Sequence, residues 1–361
     1  MTTKKGEFHI VFNWIYILIA GGMILLFFVG IAIKQKAVSE ENLQTEIVQL
    51  FDSLFTSAGV SEKTKNFIDV SALRDYVFRF ECEKGIDYFG IKGNAFQQEE
   101  DVVPLFSPEE IQTTQFITWS VPFSKPFKAA DLLLVTSNDV RYVFVGDDIL
   151  TQQALELTTG LTVDSVVDLA SLTAEKYSHT RIVDFGGLLV RNGVEVPSSF
   201  RTIDEGAISA VTVSLDGRVF YFFNKNDVWK QHSASPLLIS SLGEDFPSEL
   251  LAAFIVQDES RYACSMTKAY KRLKLVTTLY KAKVEDVVNY YTGRPEPTFQ
   301  TECLGKLTTY APNIRELLNS LDRAIGSCMD DSTRCGLVSD AAQKLDQHYR
   351  DYKEEGCISL Y

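Results

Sequence analysis

Between Ile10 and Ile33 the chain runs for 24 residues without a charge, and Asn13 is its one strongly polar side chain. As a helix rising about 1.5 Å per residue, that run reaches about 36 Å, enough for a hydrocarbon core of roughly 30 Å. Trp14 and Tyr16 stand near one end, where amphipathic rings favour a membrane–water boundary, and Lys34 and Lys36 close the other. A cleaved secretory leader has a shorter apolar stretch and a small-residue cleavage site, and Ile31-Ala32-Ile33-Lys34 does not resemble one. A buried core helix of this length in a soluble domain is rarer still. The expectation is a retained transmembrane helix over 10–33, preceded by a short tail over 1–9.

About 325 residues follow the anchor, enough for one large or two small domains. Their composition is that of a folded body: 45% apolar and 12% aromatic over the whole chain, with only 10 prolines. The formal net charge of −13 argues against nucleic acid, because phosphate binding needs a clustered positive field. All six cysteines (Cys82, Cys264, Cys303, Cys328, Cys335, Cys357) lie beyond the anchor. None has Cys-x-x-Cys spacing or a neighbouring histidine, so disulfides account for them better than zinc does. Six cysteines allow 15 connectivities, and spacing does not choose among them. Lys4 and Lys5 before the anchor balance Lys34 and Lys36 after it, so the positive-inside rule is nearly a tie. Disulfides in an oxidising compartment then favour an N-terminus inside and a body outside.

A juxtamembrane segment over 34–66 carries an amphipathic helix from Ser39 to Ser57. Its stripe is Leu43, Ile47, Leu50 and Leu54, widened by Val48, Phe51 and Phe55, and it is expected to dock on the body. Residues 67–245 read as a mixed α/β domain. Candidate strands lie at 76–82, 88–91, 116–121, 132–135, 142–145, 181–185, 208–213 and 219–223, with helical patches at 149–158 and 163–176. Lys84-Gly85 and Asp216-Gly217 are turn signals between such strands. Residues 246–361 turn helical: Leu250 to Val256, a long helix from Glu259 to Tyr291, then Ile314–Ile325 and Val338–Tyr349 around Cys328 and Cys335. Met266, Ala269, Leu273, Val276, Tyr280, Val284, Val287 and Tyr291 step by three or four along the long helix. The fold class is α+β: a mixed sheet domain, then a helical cysteine-containing subdomain, anchored by one N-terminal transmembrane helix.

Chemistry is sparsely signalled. Lys268, Lys271, Arg272, Lys274, Lys281 and Lys283 make the long helix basic, which reads either as a docking face for acidic partners or lipid headgroups or as an ordinary solvated face. Gly146-Asp147-Asp148 follows an apolar strand, where a catalytic or metal-binding acid can sit, and where a helix N-cap is equally at home. His179, His232 and His348 are scattered and read as surface or hydrogen-bonded histidines. No phosphate-loop, dinucleotide, zincin or nucleophile-elbow motif occurs, no cofactor is implied, and no N-glycosylation sequon is present.

Lys4-Lys5-Gly6-Glu7-Phe8-His9-Ile10-Val11-Phe12-Asn13-Trp14-Ile15, then Ile19-Ala20-Gly21-Gly22, resembles the opening of uncharacterised single-pass membrane proteins of small-genome archaea. The ending Gly356-Cys357-Ile358-Ser359-Leu360-Tyr361 is similar to theirs. That resemblance implies a membrane anchor and no known activity. Lys-Lys-Gly before an apolar run is also similar to archaeal type IV pilin leaders, which are cut after the glycine. The fifth residue after such a cut is Val11 here, where those leaders have Glu. The leading expectation is a single-pass surface protein of binding or assembly type, partnered by the bilayer and by another surface protein or a second copy. A membrane-tethered hydrolase using Asp147, Asp148 and Asp184, and a pilin-like subunit, are the alternatives.

Overall fold

The computed structural model describes residues 41–353 apart from 60, 62, 96, 147, 176, 191–193, 202, 215–216, 233–236, 239–245 and 293–298, together with Leu26 and Val29. Among the described residues no helix is long and apolar enough to cross a membrane. The expected anchor over 10–33 lies outside the described residues except for Leu26 and Val29, which are helical and exposed.

The described chain builds three sheets and a group of helices. Residues 41–59 form α1. Strands β1 (Lys65–Asp69), β5 (Leu105–Phe106), β7 (Gln115–Ser124) and β8 (Lys128–Ser137) make a first sheet in the order β1-β7-β8-β5. A second sheet, ordered β4-β3-β2-β6, holds β2 (Phe78–Glu83), β3 (Ile86–Ile91), β4 (Gln97–Glu100) and β6 (Glu110–Ile111). Lys84 and Gly85 both take positive φ (54° and 80°), the type I′ geometry that matches the twist of a two-residue hairpin between β2 and β3.

The third sheet carries β9 (Val140–Val145), β10 (Thr162–Val166), β11 (His179–Asp184), β12 (Ile208–Val213), β13 (Arg218–Lys225), β14 (Val228–Gln231) and β15 (Leu237–Leu238). Its order is β10-β9-β11-β12-β13-β14, with β15 also on β13. β10, β9, β11 and β12 run parallel, and β13 and β14 add antiparallel. Helix α2 (Ile149–Leu157) is the crossover from β9 to β10. All residues of β9, β11 and β12 are buried, as expected for parallel strands covered on both faces. One face packs on α3 (Ser248–Ile255) and α4 (Glu259–Thr292) through Tyr142, Phe144, Val183 and Val211. The other packs through Val143, Ile182 and Ala210 on Leu172, Leu189, Phe200 and Trp229, brought by the connections after β10 and β11 and by β14.

Helices α4, α5 (Phe299–Asp330) and α6 (Gly336–Lys353) pack into a bundle whose core is continuous with the sheets. The 34-residue α4 is the spine: its sheet-proximal part meets the sheets, and Val284, Val287 and Tyr291 meet the other two helices. The α+β class therefore holds, with the helical segment last.

Three expectations about elements are corrected. Residues 163–176 do not form a helix: Thr162–Val166 is β10, paired in parallel with Arg141–Val145. Its β-branched Thr162, Val163 and Val166 suit a strand, and the vacant edge of β9 supplies the partner. In α1 the buried side is Ile47, Val48, Phe51, Phe55 and Ala58, whereas Leu43 and Leu50 are half to mostly exposed. Phe51 and Phe55 set this rotation, because they meet Phe78, Phe116, Phe80 and Phe89 at ring separations of 4.8–6.2 Å. Lastly, α5 begins well before residue 314 and contains Pro312 within it.

Candidate functional site

Two adjoining hollows open where the second sheet faces the N-terminal ends of β11 and β12. The larger is about 950 Å³ and the smaller about 670 Å³. Both are lined by Glu109, His179, Gly206 and Gln257, so they form one groove. One wall is β2 with Tyr88 of β3; the facing wall is the start of β12 with Phe223; the start of α4 closes the larger hollow.

The β2 wall is stapled to α4 twice. Cys82 is bonded to Cys264 across 182 residues of chain. One strand further in, Asp87 of β3 receives Lys268 Nζ at 2.8 Å, Ser265 Oγ at 2.7 Å and the backbone N–H of Leu105 at 3.1 Å. Lys268 Nζ also donates to the carbonyls of Glu100 and Val103. Donors and acceptors are matched on both charges, which is the condition for a buried ion pair to persist.

The opposite wall holds a buried hydrogen-bond chain. His179 Nδ1 lies 3.1 Å from the carbonyl of Gly206, which only accepts, so Nδ1 carries the proton and Nε2 is the acceptor. Ser209 therefore donates to His179 Nε2 at 2.7 Å, and Arg181 Nη1 donates to Ser209 Oγ at 2.9 Å. The rest of the Arg181 guanidinium donates to the carbonyls of Ala253, Phe254 and Val256. These carbonyls lie in the last turn of α3 and at its C-cap Val256, where a cation is also favoured by the helix dipole, and that of Ala253 accepts from Tyr221 Oη as well. Burial lowers Arg181 to about 10, and it remains cationic at neutral pH. Burial, helped by Arg181, lowers His179 to about 3.

Serine, imidazole and an orienting carbonyl are the geometry of an activated nucleophile. Burial holds that histidine to about 3, which makes it a weak proton acceptor near pH 7, where a general base works best with a matching pKa. The chain of hydrogen bonds ties β11 and β12 to the end of α3.

At the start of α4, Asp258 Oδ1 accepts from the backbone N–H of Arg261 and from Ser260 Oγ, the pattern of an N-cap. Arg261 Nη2 donates to Ser107 Oγ at 3.1 Å, while its buried Nη1 has no acceptor in the protein. Burial lowers the Arg261 pKa.

No protein-family model matches this chain. No curated protein and no solved structure matches it either.

Of the residues singled out from the sequence, Cys82, His179 and His232 line the groove, whereas the acids Asp148 and Asp184 and the lysines of the long helix do not. Strands β9 and β11 leave for opposite sides of the third sheet, so their C-terminal ends mark a switch point, where doubly wound sheets usually bind ligands. Asp148 and Asp184 lie at those ends, but each is committed to the backbone. Asp148 N-caps α2 by accepting from Thr151 N. Fully buried Asp184 accepts from Gly186 N, Leu189 N and Thr212 Oγ1. Asp147 lies outside the described residues. Among the described residues no three His, Cys, Asp or Glu side chains cluster as a metal site.

The basic helix is not one docking face. Lys268 is buried against Asp87, and Lys281 pairs with Asp322 of α5 at 2.9 Å. Lys271 reaches the carbonyl of Lys84, Arg272 lines a separate hollow with Asp131, and Lys283 lies over the Tyr280 ring. A straight helix spreads residues that are clustered in sequence around its whole circumference. Lys274 enters none of these contacts. Of the cysteines, Cys82 pairs with Cys264 and Cys328 with Cys335, whereas Cys303 and Cys357 lie where no side chain is described. His232 packs on the Phe223 ring and His348 on Tyr310. Sequence reading missed Ser209, Arg181 and Arg261. A charge inside the all-buried run of β11 was the one available signal, since an arginine there must be held by something.

Proposed function

We propose that this chain is a single-pass membrane protein whose body, over 41–353, lies outside the membrane and binds its ligand in the groove between the second and third sheets. The Cys82–Cys264 bridge carries this reading. It fixes the β2 wall of the groove to α4, and such bonds persist in oxidising compartments and not in reducing cytosol. The 24-residue apolar run supports the anchor, and α1, docked by Phe51 and Phe55, ties the body to the segment that follows that run. An acidic body suits an exposed, soluble position beside an anionic surface.

The test is alkylation of the protein in its native membranes, read by mass spectrometry. Cys82 and Cys264 are expected to be blocked before reduction and to react with a membrane-impermeant reagent after it. The full chain is also expected to stay in the pellet under alkaline carbonate. Free alkylation of both thiols without reduction overturns the external location, and carbonate release overturns the anchor.

The second reading, a hydrolase, is favoured by the Ser209–His179 hydrogen bond alone. Ester hydrolysis that disappears on Ser209→Ala would establish it over binding.

A further inference from the structure

We propose that the groove takes an extended peptide segment of a partner protein bearing lysine or arginine side chains, laid along the free edge of β2. The proposal rests on the binding reading above and names its ligand class. β3 pairs with β2 from Phe78 to Glu83, but on the other side β6 pairs only with Phe78 and Arg79. Phe80 N–H donates to the carbonyl of Glu109 on that outer side. Backbone groups alternate along a strand, so Cys82 presents its N–H and carbonyl to the same side, beyond the end of β6. Phe80, Cys82 and Glu83 line the larger hollow. An unpaired strand edge is a template for another extended chain, whose main-chain hydrogen bonds supply affinity while side chains supply specificity.

Charge selects those side chains. Glu81, Glu83, Glu109, Glu205 and Asp258 line the larger hollow with Arg261; Arg79 pairs with Glu81 and Glu109 and Lys84 with Glu83 from outside it, so among the described residues five carboxylates meet three cations. That excess of carboxylates leaves the cleft net negative, a potential that draws a cationic ligand. Arg261 adds an independent observation: its Nη1 is buried and donates to no protein atom. A donor so placed calls for an acceptor from outside. Basic side chains have none, and a peptide carbonyl does. An extended basic peptide satisfies both demands, with its side chains meeting the carboxylates and its main chain meeting Arg261 and the β2 edge.

The experiment uses the full chain in nanodiscs of zwitterionic lipid and fluorescence anisotropy of two labelled heptapeptides, Lys-Val-Lys-Val-Lys-Val-Lys and its glutamate counterpart. The basic peptide is expected to bind saturably, at least about tenfold more tightly than the acidic one, and more weakly as salt rises. The double variant Glu81→Gln, Glu83→Gln alters only groups at the groove rim, and is expected to weaken the basic peptide about fivefold or more with an unchanged melting temperature. Arg261→Met is expected to weaken both peptides. Absence of saturable binding, equal binding of both peptides, or affinities unchanged in both variants overturns the proposal. Such a result alongside cysteines protected in native membranes rejects the peptide class and leaves the anchored-body reading intact.

Discussion

Lys268 Nζ on α4 lies 2.8 Å from Asp87 Oδ2 on β3, and both side chains are closed off from solvent. This pair and the Cys82–Cys264 bond join the same hairpin to the same helix, which makes one wall of the groove a rigid unit.

Removing one partner of that pair leaves the other charge buried alone. Lys268→Met is expected to cost about 3–5 kcal/mol, the range for an orphaned buried charge. Adding Asp87→Leu to it is expected to recover part of the loss. Urea denaturation of the two variants checks this, and a double variant less stable than Lys268→Met would refute it.

The two bridges close loops of very different length, 182 and 7 residues apart. If a bridge acts mainly on unfolded-state entropy, the longer loop matters more. Cys82→Ser with Cys264→Ser is expected to cost about 5 kcal/mol, and Cys328→Ser with Cys335→Ser about 2 kcal/mol. Melting curves of the two double variants rank them, and the reverse order would show that native-state contacts dominate.

Rotation of α1 and α4 can be read by truncation. Phe51→Ala and Leu273→Ala each empty a fully buried site and are expected to cost about 3–5 and 2–5 kcal/mol. Leu50→Ala, on the exposed side of α1, is expected to stay within about 0.5 kcal/mol. Val276 is only partly buried against the core, so Val276→Ala should fall below Leu273→Ala. Equal losses at Leu50 and Phe51 would reject the docked face.

His179 makes stability pH-dependent on the acid side. Above about pH 6.5 the histidine is neutral in both the folded and unfolded chain and adds no slope. Between 6.5 and about 3 the unfolded chain takes up a proton that the folded chain refuses, so stability falls as pH falls through that window. Below about 3 the contribution levels off. His179→Asn removes the titration, and its stability, followed by urea melts from pH 7 to 4, is expected to fall less steeply than the parent's. An unchanged slope would show that the imidazole is protonated in the fold.

Local pattern was enough for much of this architecture. The stride of three and four from Met266 to Tyr291 places α4 correctly, because one apolar side of a helix is written within a few turns. β9 and β12 are likewise legible as apolar runs, and Lys84-Gly85 as a turn, since φ > 0 is demanded by the two-residue hairpin itself. Six cysteines without a metal spacing pointed to bridges. Which thiols meet did not follow, because Cys82 and Cys264 are brought together by the packing of a hairpin on a helix 182 residues later. The same holds for the groove. Ser209, His179 and Arg181 come from neighbouring strands, their acceptors from α3, and Arg261 from α4, so no window of sequence contains the site. Lys268 looked like one more surface lysine beside Lys271 and Lys274, and Leu50 like a core residue of α1. Burial is settled by what lies opposite, and there Asp87 and four phenylalanine rings made the choice. Periodicity tells which residues share a side of an element; only the tertiary contacts decide which side faces inward.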